Sequence, residues 1–396
     1  MDPAPFPVTR ASALARLDHF IAEAAQSYGA RRNLVDPGGA HRAVSRLSAA
    51  LRRRVISEEE VVRAVLAVHP YPVVEKFIAE VFWRTYWKGW LELHNGLWPQ
   101  FQTEVAAEQA RLAASPAKSA SYRAAMAGAS GIEAFDHWAD ELARTGYLHN
   151  WARMQVASIW TFTLGLPWQL GAEWMFAHLR DADPASNTLS WRWVAGLHTA
   201  GKAYLADAER IAGMTGGALT ATGLAQTATI PPAGNPPART DLRQAARPDP
   251  AAPSLVLLTC EDLSLETELT LDQVRGVVLV NALATSDSDK TALLDALHRG
   301  ERHWRAPAFE TARLEDLVAL ARDNGCTQIV TGFVPIGPAA DALAPIRPVL
   351  ADHGIAFTEH QRRWDRLAWP FCAKGFFQLK SRIPVMLQDQ GIMGKG

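Results

Sequence analysis

The chain has 396 residues, a formal net charge of −1, 48% hydrophobic residues and 20% charged residues. This length allows two domains with separate cores. The near-zero charge excludes a strong overall attraction to nucleic acid or to an anionic membrane, although a local basic groove stays open. Cys260, Cys326 and Cys372 lie far apart in apolar surroundings. They predict neither a disulfide framework nor a metal site and fit a reducing cytoplasm.

The first segment, MDPAPFPVTR, has no apolar signal core, and no run reaches the length of a membrane span. We therefore expect a cytoplasmic protein with no membrane partner. Most of the fourteen tryptophans lie between Trp83 and Trp193. Large aromatic residues at helical spacing usually form a core, and core packing is the simplest interpretation of this cluster.

The first half of the chain has the spacing of amphipathic helices, with apolar residues three and four positions apart. Ser57 and Glu60 form a capping box at one helix start. The predicted helical stretches are residues 10–33, 57–68, 75–95, 131–164 and 170–180.

The pattern changes after residue 226. Residues 227–253 are rich in Pro and Ala, which predicts an exposed, semi-rigid linker. Short apolar runs then alternate with helical stretches at 314–325 and 340–354, which predicts a parallel sheet. No GxGxxG motif is present, so the pattern of a dinucleotide site is absent. The four predicted strands are residues 254–259, 276–283, 327–333 and 354–360.

Several segments resemble the flavin-binding half of the photolyase/cryptochrome family. TGYLHNWARMQVAS (145–158) and DADPASNTLSWRWVAG (181–196), which we interpret as a short loop, are the most specific. Three others are EVFWRTYW (80–87), similar to the active-site helix, GIEAFDHWADEL (131–142), similar to the helix before the first motif, and HRAVSRLSAAL (41–51), similar to the phosphate-binding TSxLS segment.

The resemblance covers roughly residues 28–205 in the family's order. It implies an all-α FAD-binding bundle of the photolyase/cryptochrome type. Together with the alternating pattern after residue 253, this predicts a multidomain protein in which the bundle is followed by a small α/β domain with a parallel sheet. The predicted parts are a helical domain at 1–226, the linker at 227–253 and the α/β domain at 254–396. The last is similar to the family's antenna domain in permuted order, and no antenna chromophore can be named.

The resemblance implies FAD as cofactor and a set of residues around its ring. Arg153 would pair with Asp181 beneath the isoalloxazine, where a planar, charged fork fixes orientation. Asp183 would accept a hydrogen bond from the ring edge, and Asn187 would face N5, where a neutral amide tunes the cofactor. For the two aspartates, a solvated Asx turn is the alternative.

Other residues would hold the remainder of the cofactor. Ser45 and Ser48, with the backbone around Leu47, would bind the phosphates near a helix N-terminus, although Val44 replaces the family's threonine. Surface hydroxyls without a ligand are the alternative for both serines. The remaining implied cofactor contacts are Tyr28 on the adenosine side, Trp83, Arg84 and Asn150.

The family also implies an electron-transfer chain of tryptophans. Trp191 would be its first member and Trp168 its second. Tryptophans suit this role because indoles are easily oxidised. The usual third tryptophan is absent, and Tyr122 is the nearest aromatic residue in that region. Trp160 or Trp174 are the alternatives for the end of the chain.

In repair enzymes of this family, a further set of residues lines the pocket for a flipped pyrimidine dimer. Flipping is needed because a base inside a duplex cannot reach a buried cofactor, and aromatic walls then stack on it. Glu80 and Arg84 can also form a simple helix ion pair. The corresponding residues here are Glu80, Trp83, Asn150, Met154 and Trp193.

Two departures bear on function. Trp151 stands where repair enzymes commonly carry arginine, and residues 197–217 replace an arginine-bearing tail. The favoured hypothesis is a light-driven lyase that acts on pyrimidine dimers in DNA. The alternatives are a blue-light receptor without repair activity, which needs a signalling partner, and a flavoprotein with dark redox chemistry.

Overall fold

A computed structural model of the chain describes residues 4–199, 201–232 and 237–394. Its first half is helical, as predicted, and a π-helical turn, Ile159–Thr163, follows the ninth helix. The helices of this half are α1 (Arg10–Glu23), α2 (Tyr28–Arg31), α3 (Ser48–Arg52), α4 (Glu58–Val68), α5 (Tyr71–Glu92), α6 (Leu97–Ala113), α7 (Pro116–Met126), α8 (Glu133–Thr145), α9 (Asn150–Ser158), α10 (Trp168–His178), α11 (Pro184–Val194) and α12 (Ala208–Met214).

The C-terminal part contains five strands in one parallel sheet, in the order β3-β2-β1-β4-β5. The predicted fold class, helices followed by an α/β part with a parallel sheet, is confirmed. The strands are β1 (Ser254–Leu258), β2 (Val274–Val280), β3 (Ala308–Thr311), β4 (Gln328–Gly332) and β5 (Ala356–His360), and the helices are α13 (Asp287–Trp304), α14 (Asp316–Asp323), α15 (Pro338–Leu343), α16 (Ile346–Asp352), α17 (Arg363–Ala368), α18 (Phe377–Lys380) and α19 (Ile383–Asp389).

The central strands form the core of the sheet. All residues of β1 and β4 are buried, as expected of parallel strands covered on both faces. Leu255 pairs with Ile329 in register, and both side chains belong to the core cluster of the sheet and its helices. A Cβ atom at Gly276 would lie 2.4 Å from the Phe309 ring, so glycine on β2 leaves room for the Phe309 side chain of β3.

Two local interpretations of the sequence are corrected. The segment 181–196 is mostly helix α11 and not a loop. The Asp183 side chain caps that helix and Pro184 occupies its first turn, which are standard helix-start signals. The predicted helix 131–164 is interrupted because Gly146 ends α8 in the left-handed conformation, with φ 67°.

The chain forms two compact units. The first unit contains the described parts of residues 1–26, 45–93 and 240–396, and the second contains those of 27–44 and 94–239. These limits differ from the predicted domain limits at 226 and 253, because α5 packs against the C-terminal helices. Phe82 stacks on Trp364 with ring centroids 4.4 Å apart, and the Trp364 indole donates to the Thr85 hydroxyl at 2.9 Å.

Buried ion pairs lie at the carboxyl ends of β1 and β4 in the first unit. A Cβ atom at Gly332, the last residue of β4, would lie 2.5 Å from Asp262. Arg362 donates to both Asp262 oxygens, at 2.5 and 2.8 Å. Burial opposes ionisation of Asp262, but Arg362 and Arg54 hold its pKa below the usual value. Ligands of open α/β sheets usually bind at such a switch point, and here the chain's own side chains occupy it.

Arg54 joins this network from the segment between α3 and α4. It donates to both oxygens of Asp365 at 2.8 and 2.7 Å and to Glu58 at 3.0 Å, and its side chain is almost fully buried. The Ser264 hydroxyl donates to the Arg54 backbone oxygen at 2.6 Å. This arginine therefore ties α4 and α17 to the loop that follows β1.

Within the described residues, no helix is long and apolar enough to span a membrane.

Replacing Arg54 by methionine should destabilise the protein, because Asp365 and Glu58 lose their cation inside the first unit. Removal of one partner from a buried ion pair costs about 3–5 kcal/mol. Urea unfolding followed by circular dichroism measures the loss. Arg313→Met, which removes an exposed partner of Glu315, should leave the unfolding free energy unchanged. Equal losses in the two variants would contradict a structural role for the Arg54 network.

Candidate functional site

The ion pair predicted to clamp the flavin region is present in the second unit. Arg153 lies on α9 and Asp181 lies in the turn between α10 and α11. The Arg153 Nη2 atom donates to both carboxylate oxygens of Asp181, at 3.0 and 3.1 Å. Its Nε atom donates to the Leu148 carbonyl at 2.9 Å. One nitrogen thus bridges both oxygens, unlike the two-nitrogen fork expected from the sequence, and the pair still joins two segments.

Asp183 and Asn187 are both buried at the start of α11. The Asp183 carboxylate accepts from the Ser186 amide at 2.7 Å, which fixes the side chain at the helix start. The Asn187 amide nitrogen donates to the Ala172 carbonyl at 2.8 Å. This bond uses the amide nitrogen, so the amide oxygen would be the acceptor towards a ligand. That orientation agrees with the predicted acceptor role of Asn187.

His149 has a structural position before α9. It is buried, and its Nδ1 atom accepts from the Trp151 amide at 3.2 Å. Burial, with the neighbouring His41 and Arg153, lowers the pKa of His149 to about 3. The imidazole is therefore neutral at physiological pH and acts as a helix cap.

Asn150, Met154 and Trp193 also belong to the second unit. Asn150 is exposed at the first position of α9, whereas Met154 and Trp193 are half-buried. Trp193 packs on Tyr204 with ring centroids 5.7 Å apart. These three side chains remain accessible, as the predicted pocket requires. Trp151, which replaces the family's arginine, is instead buried against Trp138.

The predicted phosphate residues surround the start of α3 in the first unit. Ser45 and Ser48 are half-buried and Leu47 is fully buried. The Ser45 hydroxyl accepts from the Leu47 amide at 3.4 Å. The N-cap residue of α3, Leu47, makes no side-chain capping hydrogen bond. Tyr28 begins α2 in the second unit and is buried.

Helix α5, in the first unit, carries three more residues of the predicted site: Glu80, Trp83 and Arg84. All three side chains are half-buried. The Trp83 ring stacks on Phe376, with centroids 3.9 Å apart and planes 14° apart. The sequence did not predict this contact, because Phe376 lies almost three hundred residues further along the chain.

The tryptophan neighbours differ from the predicted chain. The Trp191 indole is buried, its Nε1 has no hydrogen-bond partner, and its ring meets the edge of Trp160 at 6.2 Å. Trp160 stacks on Trp174 at 5.5 Å with planes 12° apart. Trp168 instead contacts Phe101 and the Arg192 guanidinium, at 5.6 Å each. The structure therefore brings Trp191, Trp160 and Trp174 together and places Trp168 in another cluster.

Two features permit the Trp191–Trp160 contact. Trp160 lies in the π-helical turn Ile159–Thr163, which shifts the register expected of an α-helix. A Cβ atom at Gly171 would lie 2.4 Å from the Trp191 ring and 2.8 Å from the Trp160 nitrogen. Only glycine leaves room there, and Gly171 was the one sequence signal that could have indicated the contact.

Comparisons with known proteins show which proteins part of this chain is similar to. Residues 77–214 match the family model described as the FAD binding domain of DNA photolyase. The deoxyribodipyrimidine photo-lyase of Escherichia coli (strain K12) is 27% identical over 207 residues, which are 51% of this chain and 42% of that protein. Cryptochrome DASH of Gloeobacter violaceus is 43% identical over 70 residues, 18% of this chain and 14% of that protein.

A bacterial class III photolyase from Agrobacterium tumefaciens is similar in structure, with 28% identity, a TM-score of 0.42, and coverage of 52% of this chain and 43% of that one. The matched part spans less than half the length of the E. coli relative. The family match and the sequence relatives confirm the resemblance to the photolyase/cryptochrome family, with FAD as the cofactor of the matched domain. The oriented Asn187 amide and the unpartnered Trp191 nitrogen fit such a cofactor.

The stability of the protein should fall in mild acid because of His149. Its pKa is lowered in the folded state, so the unfolded chain gains a proton first, below about pH 6.5. The stabilisation is complete above that pH and is lost as the pH falls towards 3. This histidine alone lowers the unfolding free energy by about 2 kcal/mol between pH 7 and pH 5.

His149→Asn keeps a capping acceptor without titrating, and urea unfolding of the variant at several pH values should show a weaker acid dependence than in the wild type. His178→Asn, at an exposed position of the second unit, is the matched control and should behave like the wild type. If the unfolding free energy falls equally steeply with pH in all three proteins, a buried neutral His149 is excluded.

Proposed function

We propose that the protein binds FAD and uses light to drive electron transfer to a pyrimidine dimer in DNA, as a photolyase-like lyase. When bound and reduced, FAD supplies the light-excited electron that opens the cyclobutane ring and then returns. The observation that carries the proposal is the Arg153–Asp181 pair beside the oriented Asn187 amide. The match of residues 77–214 to the photolyase FAD-binding domain supports it.

The chain's own residues would contribute binding and orientation. Arg153 and Asp181 hold α9 against the turn before α11, and their mutual charge keeps both side chains ordered while they are largely buried. Asn187 presents its oxygen without adding charge, so it can accept from a ring N–H and leave the ring's own charge unchanged. Asp183 is held by the Ser186 amide and would accept from the ring edge.

We assign the electron route within the second unit to Trp191, Trp160 and Trp174. These three rings are in successive contact, and each step between touching indoles is short. The Tyr122 ring meets the edge of Trp160 at 5.7 Å and is only half-buried, which makes it the outermost member of the group. Trp168 keeps a structural role beside Arg192.

A second function, a blue-light receptor without repair activity, is favoured by one observation. Phe376 already covers a face of Trp83, the residue that would stack on a flipped base. A receptor does not need that face, and its output would be a change in binding to a partner protein.

Repair is tested with single-stranded DNA that contains one thymine dimer, incubated with reduced, FAD-loaded protein under blue light. We expect undamaged thymines to appear in the light and not in darkness. Asp181→Asn should release FAD, because the neutral amide no longer neutralises Arg153, whereas Asp140→Asn at an exposed site should retain it. Full flavin occupancy without any repair would exclude the lyase function and leave the receptor.

Flash photolysis distinguishes the two electron routes. Trp160→Phe should slow flavin photoreduction by about an order of magnitude, because phenylalanine is much harder to oxidise than tryptophan. Trp168→Phe should leave the rate near the wild-type value. Both residues are fully buried, so the two substitutions are matched in their cost to packing. If flavin photoreduction is slow in the Trp168 variant and has the wild-type rate in the Trp160 variant, our assignment is contradicted and the route predicted from the sequence is supported.

A further inference from the structure

The aromatic face of Trp83 is covered by a residue from the C-terminal end of the chain. Phe376 and Trp83 are nearly parallel, with centroids 3.9 Å apart. This is close, face-to-face aromatic contact, the arrangement in which a nucleobase stacks on an indole. Phe376 is only 5% exposed, whereas the adjacent Phe377 is 80% exposed. Of two consecutive phenylalanines, one is therefore used to cover Trp83 and the other lies in solvent.

The segment before α18 is held at this position by a second contact. The Tyr86 hydroxyl, one helical turn after Trp83 on α5, donates to the Lys374 carbonyl at 2.8 Å. The Tyr86 ring also meets the edge of Phe376 at 5.6 Å. Burial raises the pKa of Tyr86, so its hydroxyl stays protonated and remains a donor. Residues 374–376 are thus attached to α5 through a hydrogen bond, a ring stack and an edge contact between rings.

Trp83 has no equivalent aromatic partner on α5 itself. Trp87 lies 5.2 Å away but is tilted by 38°, and Tyr86 is edge-on at 5.4 Å. Phe376 alone among the described residues lies parallel to the indole within stacking distance. A planar ligand that stacks on this face must therefore displace Phe376.

We propose that Phe376 occupies the position on Trp83 that a flipped pyrimidine would take, and that it thereby determines whether the protein accepts a base lesion. The proposal rests on the proposed function, since it takes Trp83 as part of the lesion pocket. Residues 374–376 must leave α5 before a base can stack there, and the exchange replaces one aromatic contact by another. The lesion affinity of the wild type is lowered by the cost of that exchange.

The test measures binding of single-stranded DNA with one thymine dimer to FAD-loaded protein in darkness, by fluorescence anisotropy. Phe376→Leu keeps an apolar side chain but removes the stacked ring. Base–aromatic stacking contributes enough that the variant should bind roughly fivefold to a hundredfold more tightly. Phe377→Leu, a matched change at the exposed neighbour, should bind like the wild type. Phe376→Leu binding no more tightly than Phe377→Leu overturns the proposal, including the case in which no protein binds.

Tyr86→Phe gives an independent measurement if the Phe376 variant does not fold. It removes the hydrogen bond to Lys374 but leaves both stacked rings, so it should tighten lesion binding to a smaller extent. Unchanged affinity would overturn the proposal. Failure of the proposed function gives a different pattern. If the wild type repairs nothing and the Phe376→Leu variant binds the dimer more tightly, the result supports the role of Phe376 in blocking the lesion. The same result excludes repair by the native chain.

Discussion

The buried ion pairs at the carboxyl ends of β1 and β4 are the constraint on which the first unit depends. Arg362 neutralises Asp262, and Arg54 neutralises Asp365. All four side chains are almost completely buried, so each charge requires its partner. Because Arg54 follows α3 in the chain while the other three follow the strands, these pairs fix a short helical segment onto a distant sheet. They also place arginines where a parallel sheet usually binds a ligand.

In the second unit, one ion pair and two helix caps position the residues of the flavin region. Arg153 and Asp181 connect α9 to the turn after α10. His149 caps α9 and Asp183 caps α11, so the predicted ligand residues lie beside helix starts whose geometry is fixed by hydrogen bonds. A cap directs the first turn of its helix, and Asn187 lies in the second turn of α11. The chemistry assigned to Asn187 therefore depends on a capping aspartate as much as on its own amide.

Local signals predicted much of this, and long-range contacts explain what they missed. The family resemblance implied the Arg153–Asp181 contact, and the apolar runs predicted the strands β1, β2, β4 and β5. The short edge strand β3 is half-exposed, so its sequence has no continuous apolar run. The contact between Trp191 and Trp160 depends on a π-turn, which periodicity does not predict. Which segments belong to the first unit depends on the packing of α5 against residues beyond 360, and no local sequence pattern predicts that packing.

Helix α5 shows why the family resemblance alone does not distinguish a DNA-repair enzyme from a blue-light receptor. Its sequence resembles an active-site helix, and Glu80, Trp83 and Arg84 remain half-buried on it as a ligand site requires. The same helix uses Thr85, Tyr86 and Trp83 to bind the C-terminal helices of its own unit. The Trp83 face that Phe376 covers cannot at the same time stack on a base. In our proposal, the free energy of the contact between Trp83 and Phe376 determines whether Trp83 can accept a base, and Phe376 lies outside the segment matched by the family model.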